Sequence, residues 1–390
     1  MPHAPVTAAS QPSSLKDETA RTAYIHVPFC RHRCGYCDFT LVARRDELVG
    51  DYLNALEVEL SGLEYPRPVD TLFLGGGTPT HLEPTALARL FELLARWLPL
   101  CPGGEFSIEA NPAGLDDGRL RVLWRAGVNR VSLRVQSFHA QHLVTLERDH
   151  HAEDVVDVVR RLREECANIS LDLIFAVPGQ TVADWQATLR TALDLSPQHL
   201  STYGLTWERG TAFWSRKLRG TLAAADEETE RTMYALAMDF LPAAGLEQYE
   251  LSNFARPGFA CRHNQVYWQG GEFFGFGPGA ASYLAGTRRI NHRSVTTWIR
   301  RTLDGRSAIH EKERLAPEAR AREAIMLGLR QCQGINLAKF ESRHGCTPKS
   351  LNPTAYQRTL VQGLCEVVED HWRLTTEGRF LADQVISEFL

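Results

Sequence analysis

Three cysteines stand within eight positions of one another in YIHVPFCRHRCGYCDF, residues 24–39. Cys30, Cys34 and Cys37 have the spacing C-x3-C-x2-C and follow a short apolar run that reads as a strand. Thiolates this close in sequence can converge on one soft metal centre. Two chemistries meet the pattern. A zinc ion needs a fourth ligand, and Asp38, His26 and His32 are near enough in sequence to supply one. A cubane iron–sulfur cluster held by three cysteines leaves one iron open to an outside ligand. The loop by itself favours the cluster.

The elements around the loop must position it. From Thr22 to about Thr206 short β-branched runs alternate with helical stretches: AYIHVPF, VDTLFLGGG, EFSIEA, RVSLRVQSF, ISLDLIFAVPG and LSTYGLT are the strands. In one helix Leu87, Leu90, Phe91, Leu94 and Leu98 share a face, and in another Val155, Val158, Val159, Leu162 and Cys166 do. Gly127 reads as a helix stop. Alternating strand and helix predicts an α/β fold with a parallel sheet, a partial (β/α)6 TIM-like barrel whose working groups come from loops at the strand C-termini. Four regions are expected: a disordered tail over 1–21, the barrel core over 22–206, a Gly-rich associated region over 207–309, and a C-terminal domain over 310–390. That last part reads as helices followed by a short hairpin and a final helix, a winged-helix-like α+β module.

Polar residues interrupt the apolar strands at their ends. GGGTP, Gly75 to Pro79, ends the second strand, where glycines let backbone groups approach a ligand. Glu109 ends the third strand, Gln136 the fourth, and Asp172 lies in the fifth. A buried polar group without a partner costs about 1–3 kcal/mol. Each of these residues makes either a structural hydrogen bond or a ligand contact. Taken together beside the cysteine loop, they favour one cofactor.

The cysteine spacing, with Tyr36 just before the third cysteine, resembles the radical S-adenosylmethionine (SAM) superfamily. Beyond the loop, FLGGGTPT, IEANP, VSLRVQSF, LDLIFAVPGQT, HNQVYW, GFGPGAASY and RLTTEGR resemble one branch of it. That branch holds the oxygen-independent coproporphyrinogen III oxidases and the HemW heme chaperones. The resemblance implies a [4Fe–4S] cluster on Cys30, Cys34 and Cys37, with the fourth iron kept for the amino and carboxylate groups of SAM. It implies SAM contacts at Tyr24, Gly76, Gly77, Thr78, Glu109, Gln136, Arg148 and Asp172.

Three features place the chain nearer the heme chaperones. Phe39 stands where the oxidase usually has a further cysteine; only about twenty low-complexity residues precede Thr22; and RHNQVYW matches the HNxxYW motif on His263, Asn264, Tyr267 and Trp268. Imidazole is a good axial ligand for heme iron, so the resemblance makes His263 the candidate heme ligand. Read without it, His263 is a structural histidine beside the barrel. Cys261 is the competing ligand, although a lone cysteine is more often a small buried hydrophobe. The same reading covers Cys101, Cys166, Cys332, Cys346 and Cys365.

The chaperone reading implies heme and recipient hemoproteins as partners, membrane-associated respiratory enzymes among them, and a homodimer. The alternative is a radical enzyme that decarboxylates porphyrinogen propionates, which would need an electron donor.

Composition narrows the field. With 390 residues, 44% hydrophobic and 23% charged, the chain can bury a sizeable core. A net charge of −4 points to neither nucleic acid nor an anionic membrane. Residues 310–390 carry eleven basic and eleven acidic side chains, without the basic footprint of a phosphate binder. The run TRRINHRSVTTWIRRTLDGR is Arg-rich; it reads as a solvated face, or as a site for propionates or an acidic partner. An odd cysteine count and a first stretch without an apolar middle predict a reducing, cytoplasmic setting.

Overall fold

The computed structural model describes residues 20–390. The tail expected over 1–21 lies, as far as residue 19, outside the described residues. Ala20 is buried, and the Arg21 guanidinium pairs with Asp70 at 2.9 Å.

The alternation seen in sequence becomes six strand–helix units. The strands are β1 Thr22–Val27, β2 Val69–Gly76, β3 Leu100–Ala110, β4 Arg130–Gln136, β5 Asn168–Phe175 and β6 His199–Gly204. Between them run α1 Val49–Ser61, α2 Pro84–Trp97, α3 Asp117–Arg125, α4 Ala140–Thr145, α5 Ala152–Leu162 and α6 Val182–Asp194. The predicted apolar faces of α2 and α5 are buried, from Leu87 and Leu90 to Val155 and Leu162. Each such side chain contributes roughly 1.5–3 kcal/mol by leaving water. Gly127 follows α3 at φ +82°, a left-handed position that glycine adopts without strain.

Beyond β6 come α7 Ala212–Leu218, α8 Glu227–Ala243, β7 Glu247–Glu250, β8 Asn253–Ala255, α9 Arg262–Trp268 and β9 Phe274–Phe276. These complete one nine-stranded sheet in the order β9–β1–β2–β3–β4–β5–β6–β8–β7. Neighbours from β9 through β6 are parallel, and the hairpin β7–β8 joins antiparallel. The sheet is open: among the described residues its two edges do not pair. The seventh parallel strand, β9, was not legible in sequence, since three residues between glycines carry no period.

The two faces of the sheet differ in chemistry. In β4 the fully buried Val131, Leu133 and Val135 belong to the main apolar core, and Arg130, Ser132, Arg134 and Gln136 take the other face. β3 repeats this with Phe106, Ile108 and Ala110 against Glu105, Ser107 and Glu109. β6 presents His199, Ser201 and Tyr203 opposite the buried Leu200. The polar face is the wall of the site.

Next come β10 Ala281–Leu284, β11 Thr287–Asn291, α10 Val295–Leu303 and β12 Ile309–Glu313, whose strands form a small antiparallel sheet. The rest is a separate core around Trp372, Phe389, Tyr356 and Ile325. It comprises α11 Pro317–Gly328, β13 Ile335–Asn336, α12 Leu337–His344, α13 Pro348–Leu351, α14 Pro353–Val361, β14 Cys365–Val368 and β15 His371–Leu374. The strand between the first two helices pairs with the hairpin, the winged-helix arrangement. Glu369 and Asp370 turn the hairpin at φ 49° and 63°, which two-residue loops require. The single final helix expected from sequence is two, α15 Thr376–Phe380 and α16 Ala382–Ser387, broken at Leu381. No helix among the described residues is long and apolar enough to cross a membrane.

Candidate cluster and cofactor cleft

The cysteine loop leaves β1 through Phe29–Cys30, which pairs in parallel with Val42–Ala43. Arg33 braces the loop from inside, donating to the carbonyls of Cys37, Phe39 and Leu41 at 3.3, 3.2 and 2.8 Å. From outside, the Phe213 amide on α7 donates to Gly35 at 2.8 Å. A Cβ on Gly35 would fall 2.5 Å from the Phe213 ring, so the approach requires glycine. Sequence reading missed both anchors, because neither Arg33 nor Phe213 carries a motif.

The three thiols face one cavity of about 940 Å3. The Thr78 hydroxyl lies 3.3 Å from Cys30 Sγ, and the Arg148 guanidinium 3.6 Å from Cys34 Sγ. Asn111 Oδ1 and the Arg134 carbonyl accept from Arg148 at 2.8 and 3.0 Å and fix its aim. Burial raises the Cys30 and Cys37 thiols, opposed by a hydrogen bond to each and by Arg134. Lining one cavity, the three thiols could hold one soft metal centre, a cubane cluster or a zinc ion with a fourth ligand.

The rest of the wall is a buried ion-pair network. Glu109 Oε2 accepts the Gly76 amide at 3.0 Å and pairs with the Arg134 guanidinium. Arg134 also donates to the carbonyls of Gly77 at 2.7 Å and Gly76 at 3.2 Å. Burial raises the Glu109 carboxyl, opposed chiefly by Arg134. Asp172 accepts from Ser132 at 2.9 Å, and burial raises it too. Gln136 sits at φ +64° with Oε1 buried and unpartnered, as is Arg148 Nε. Orphaned polar atoms at a cavity wall are what a polar ligand would satisfy.

Five of the expected SAM residues, Thr78, Glu109, Gln136, Arg148 and Asp172, therefore line the cavity with the cysteines. Gly76 and Gly77 do not. Their amides donate to Glu109 and to the Val27 carbonyl. A Cβ on Gly76, at φ +99°, would lie 2.3 Å from the His26 ring. The glycines allow close packing of β2 on β1, and Arg134 takes both of their carbonyls. Arg134 and Asn111 were missed; the signal was an arginine at period two with Ser132 and Gln136.

Tyr24 lines a second cavity of about 880 Å3, which shares Phe39, Glu109, Asp172, Tyr203 and Asn264 with the first. Its hydroxyl lies 3.1 Å from His26 Nδ1, and His26 Nε2 lies 2.6 Å from the Thr40 carbonyl. A carbonyl only accepts, so Nε2 carries the proton and Tyr24 donates to Nδ1. Burial lowers His26 to about 4.

His263 and Tyr267 stand one turn apart on α9, at the second cavity. His263 Nδ1 lies 3.0 Å from the Thr71 hydroxyl and Nε2 2.7 Å from the Tyr267 hydroxyl. Burial, then Arg130, lowers this ring to about 3. The expected heme ligand is thus a neutral imidazole engaged at both nitrogens, with no lone pair free for iron in this conformation. Cys261 is fully buried against Glu105 and pushed up to about 12 by burial. From the Arg-rich run, Arg288 and Arg293 reach this cavity, together with Arg320 and Arg343 from the C-terminal module. Tyr283 joins Phe39 and Tyr267 in its wall.

Residues 24–192 match the radical SAM superfamily, and residues 315–381 match the HemN C-terminal domain. The heme chaperone HemW of Bacillus subtilis is 37% identical over 375 residues, spanning 95% of this chain and 99% of its own. The chain belongs to the HemW family of radical SAM proteins. The mouse mitochondrial radical S-adenosyl methionine domain-containing protein 1 is 35% identical, over 99% of this chain and 91% of its own. The solved structure of Escherichia coli coproporphyrinogen III oxidase (HemN) superposes with a TM-score of 0.84 at 22% identity, covering 95% of this chain and 90% of that one. That likeness shows the shared fold.

Proposed function

We propose that the protein is a heme chaperone that binds heme beside a SAM-ligated [4Fe–4S] cluster and passes the heme to recipient hemoproteins. The observation that carries this reading is the pair of adjoining cavities with a common wall of Phe39, Glu109, Asp172, Tyr203 and Asn264. Cys30, Cys34 and Cys37 would hold the cluster. When bound, it supplies an open iron for the amino and carboxylate groups of SAM. Arg134 holds Glu109 in place, Arg148 stabilises negative charge at the Cys34 sulfur, and Gln136 offers an unpartnered oxygen. Phe39, Tyr267 and Tyr283 give the second cavity flat apolar faces for a macrocycle. Arg288, Arg293, Arg320 and Arg343 give it guanidinium partners for propionates. Its volume falls within the range of roughly 300–1,000 Å3 typical of ligand sites.

The test is one preparation divided in three. Anaerobically reconstituted protein is titrated with heme, mixed with a heme-free acceptor hemoprotein, and incubated with SAM, reductant and coproporphyrinogen III. The chaperone reading expects stoichiometric heme binding, transfer to the acceptor, and no decarboxylated product. Product formation without heme transfer would replace it with the enzyme reading.

A further inference from the structure

Outside both cavities, His139, His142 and Asp184 bring two imidazoles and a carboxylate together, with one ligand atom from each within 4.8 Å of the others. His139 and His142 lie at the start of α4, and Asp184 lies in the first turn of α6. We propose that these three side chains bind a first-row divalent ion of the zinc class, clipping the loop after β4 to α6.

The geometry is close to what such an ion needs. Zinc–nitrogen and zinc–oxygen bonds of about 2.0–2.2 Å put the ligand atoms of a tetrahedron roughly 3.4 Å apart. His142 Nε2 and Asp184 Oδ2 already stand 3.3 Å apart. The His139 ring lies 4.5 Å from that of His142, centre to centre, and is exposed, so it can swing in without disturbing the core. Water would fill the fourth position.

His142 differs from His26 and His263, although His150 shares its unpartnered Nδ1. His26 and His263 are bonded at both ring nitrogens. His142 is equally buried, yet its Nδ1 has no partner and only Asp184 holds the ring. Nε2 donates to the Asp184 carboxylate; with that proton moved to the unpartnered Nδ1, Nε2 presents its lone pair to the ion. Oδ2 accepts the Thr181 amide at 2.9 Å and is the carboxylate oxygen that faces His142, so it is the oxygen placed to meet the ion. Two nitrogens and an oxygen suit zinc, cobalt or nickel rather than calcium or magnesium.

The bridge would fix a segment that matters to the cleft. Gln136 precedes His139 by three residues, and Arg148 follows α4.

The experiment uses cluster-reconstituted protein, whose loop cysteines are occupied. It is dialysed against micromolar Zn2+ and analysed for metals. One zinc per chain beyond the cluster iron is expected. His139→Ala, which removes an exposed side chain and leaves the core intact, and Asp184→Asn should each weaken zinc binding by at least the roughly 10–100-fold typical of losing an outer partner. Iron content should not change. Co2+ in place of Zn2+ should give weak visible bands without an intense thiolate charge-transfer band. Zinc binding of equal strength in wild type and His139→Ala, absence of the extra zinc in wild type, or a thiolate band on cobalt would each overturn the site.

Discussion

The Nε2 of His263 lies 2.7 Å from the hydroxyl of Tyr267, one helical turn along α9. With Thr71 on the other nitrogen, this bond turns the motif's histidine into a cross-brace between α9 and β2. Removing it would leave the buried Tyr267 hydroxyl without its partner, at about 1–3 kcal/mol, while Thr71 keeps Thr22. His263→Ala should therefore lower the unfolding free energy by that amount. The Soret position of bound heme should not move, because the ring is not free to reach iron. A Soret shift in this variant, in protein shown to be folded, would mean that Tyr267 swings away when heme binds.

Cluster assembly should need all three loop cysteines. Each thiol has its own surroundings, Thr78 for Cys30 and Arg148 for Cys34, and the other six cysteines line neither cavity. Cys30→Ala, Cys34→Ala and Cys37→Ala should each lose the brown visible absorbance and most bound iron after anaerobic reconstitution. Full iron in any one of them, or zinc as the dominant metal in the wild type, would reject the cubane.

What the sequence made legible followed from period and spacing. The six strand–helix units show as apolar periodicity, and the winged module shows as helices followed by a hairpin. Glu109, Gln136 and Asp172 stood out as polar residues in apolar strands, whereas Thr78 and Arg148 came only from the family resemblance. Partnership was not legible. Nothing local says that Arg134 belongs to Glu109, twenty-five residues earlier, or that Phe213 holds Gly35. The glycines of β2 were read as a ligand cradle, but tertiary packing against His26 explains Gly76. His263 was read as a heme ligand on its resemblance to the HNxxYW motif; its bond to Thr71, from β2, was not legible.

The Glu109–Arg134 pair separates stability from binding. Breaking a buried pair on one side leaves an uncompensated charge and costs about 3–5 kcal/mol, whereas replacing both partners by apolar groups is often neutral. Glu109→Gln should weaken both the fold and SAM binding. The double variant Glu109→Leu with Arg134→Met should recover most of the stability in urea denaturation. It should not recover affinity for labelled SAM in equilibrium dialysis. Recovery of both would place SAM elsewhere.

Acid stability should show two opposing sets of buried groups. His26 and His263 are lowered to about 4 and about 3 by burial, so the folded protein keeps them neutral where the unfolded chain, at about 6.5, takes up protons. Their contribution is complete above pH 6.5 and is lost as pH falls toward 4, by roughly 3 kcal/mol or more each at 1.36 kcal/mol per unit. Glu59 works the other way. It is partly buried, accepts from the Gly277 amide, Asn291 and Trp298, and burial raises it to about 7. Between pH 7 and about 4.5 the folded state holds a proton there that the unfolded chain has released, so acidification through this window stabilises. Wild type should therefore lose stability between pH 7 and 5 less steeply than its histidines alone dictate. Glu59→Gln removes the opposing proton, and its unfolding free energy should fall more steeply by about one proton's worth of slope. Urea denaturation at pH 7, 6 and 5 under anaerobic conditions reads this directly. An equal slope in Glu59→Gln and the wild type would show that Glu59 is ionised in the fold, held by its three donors against the cost of burial.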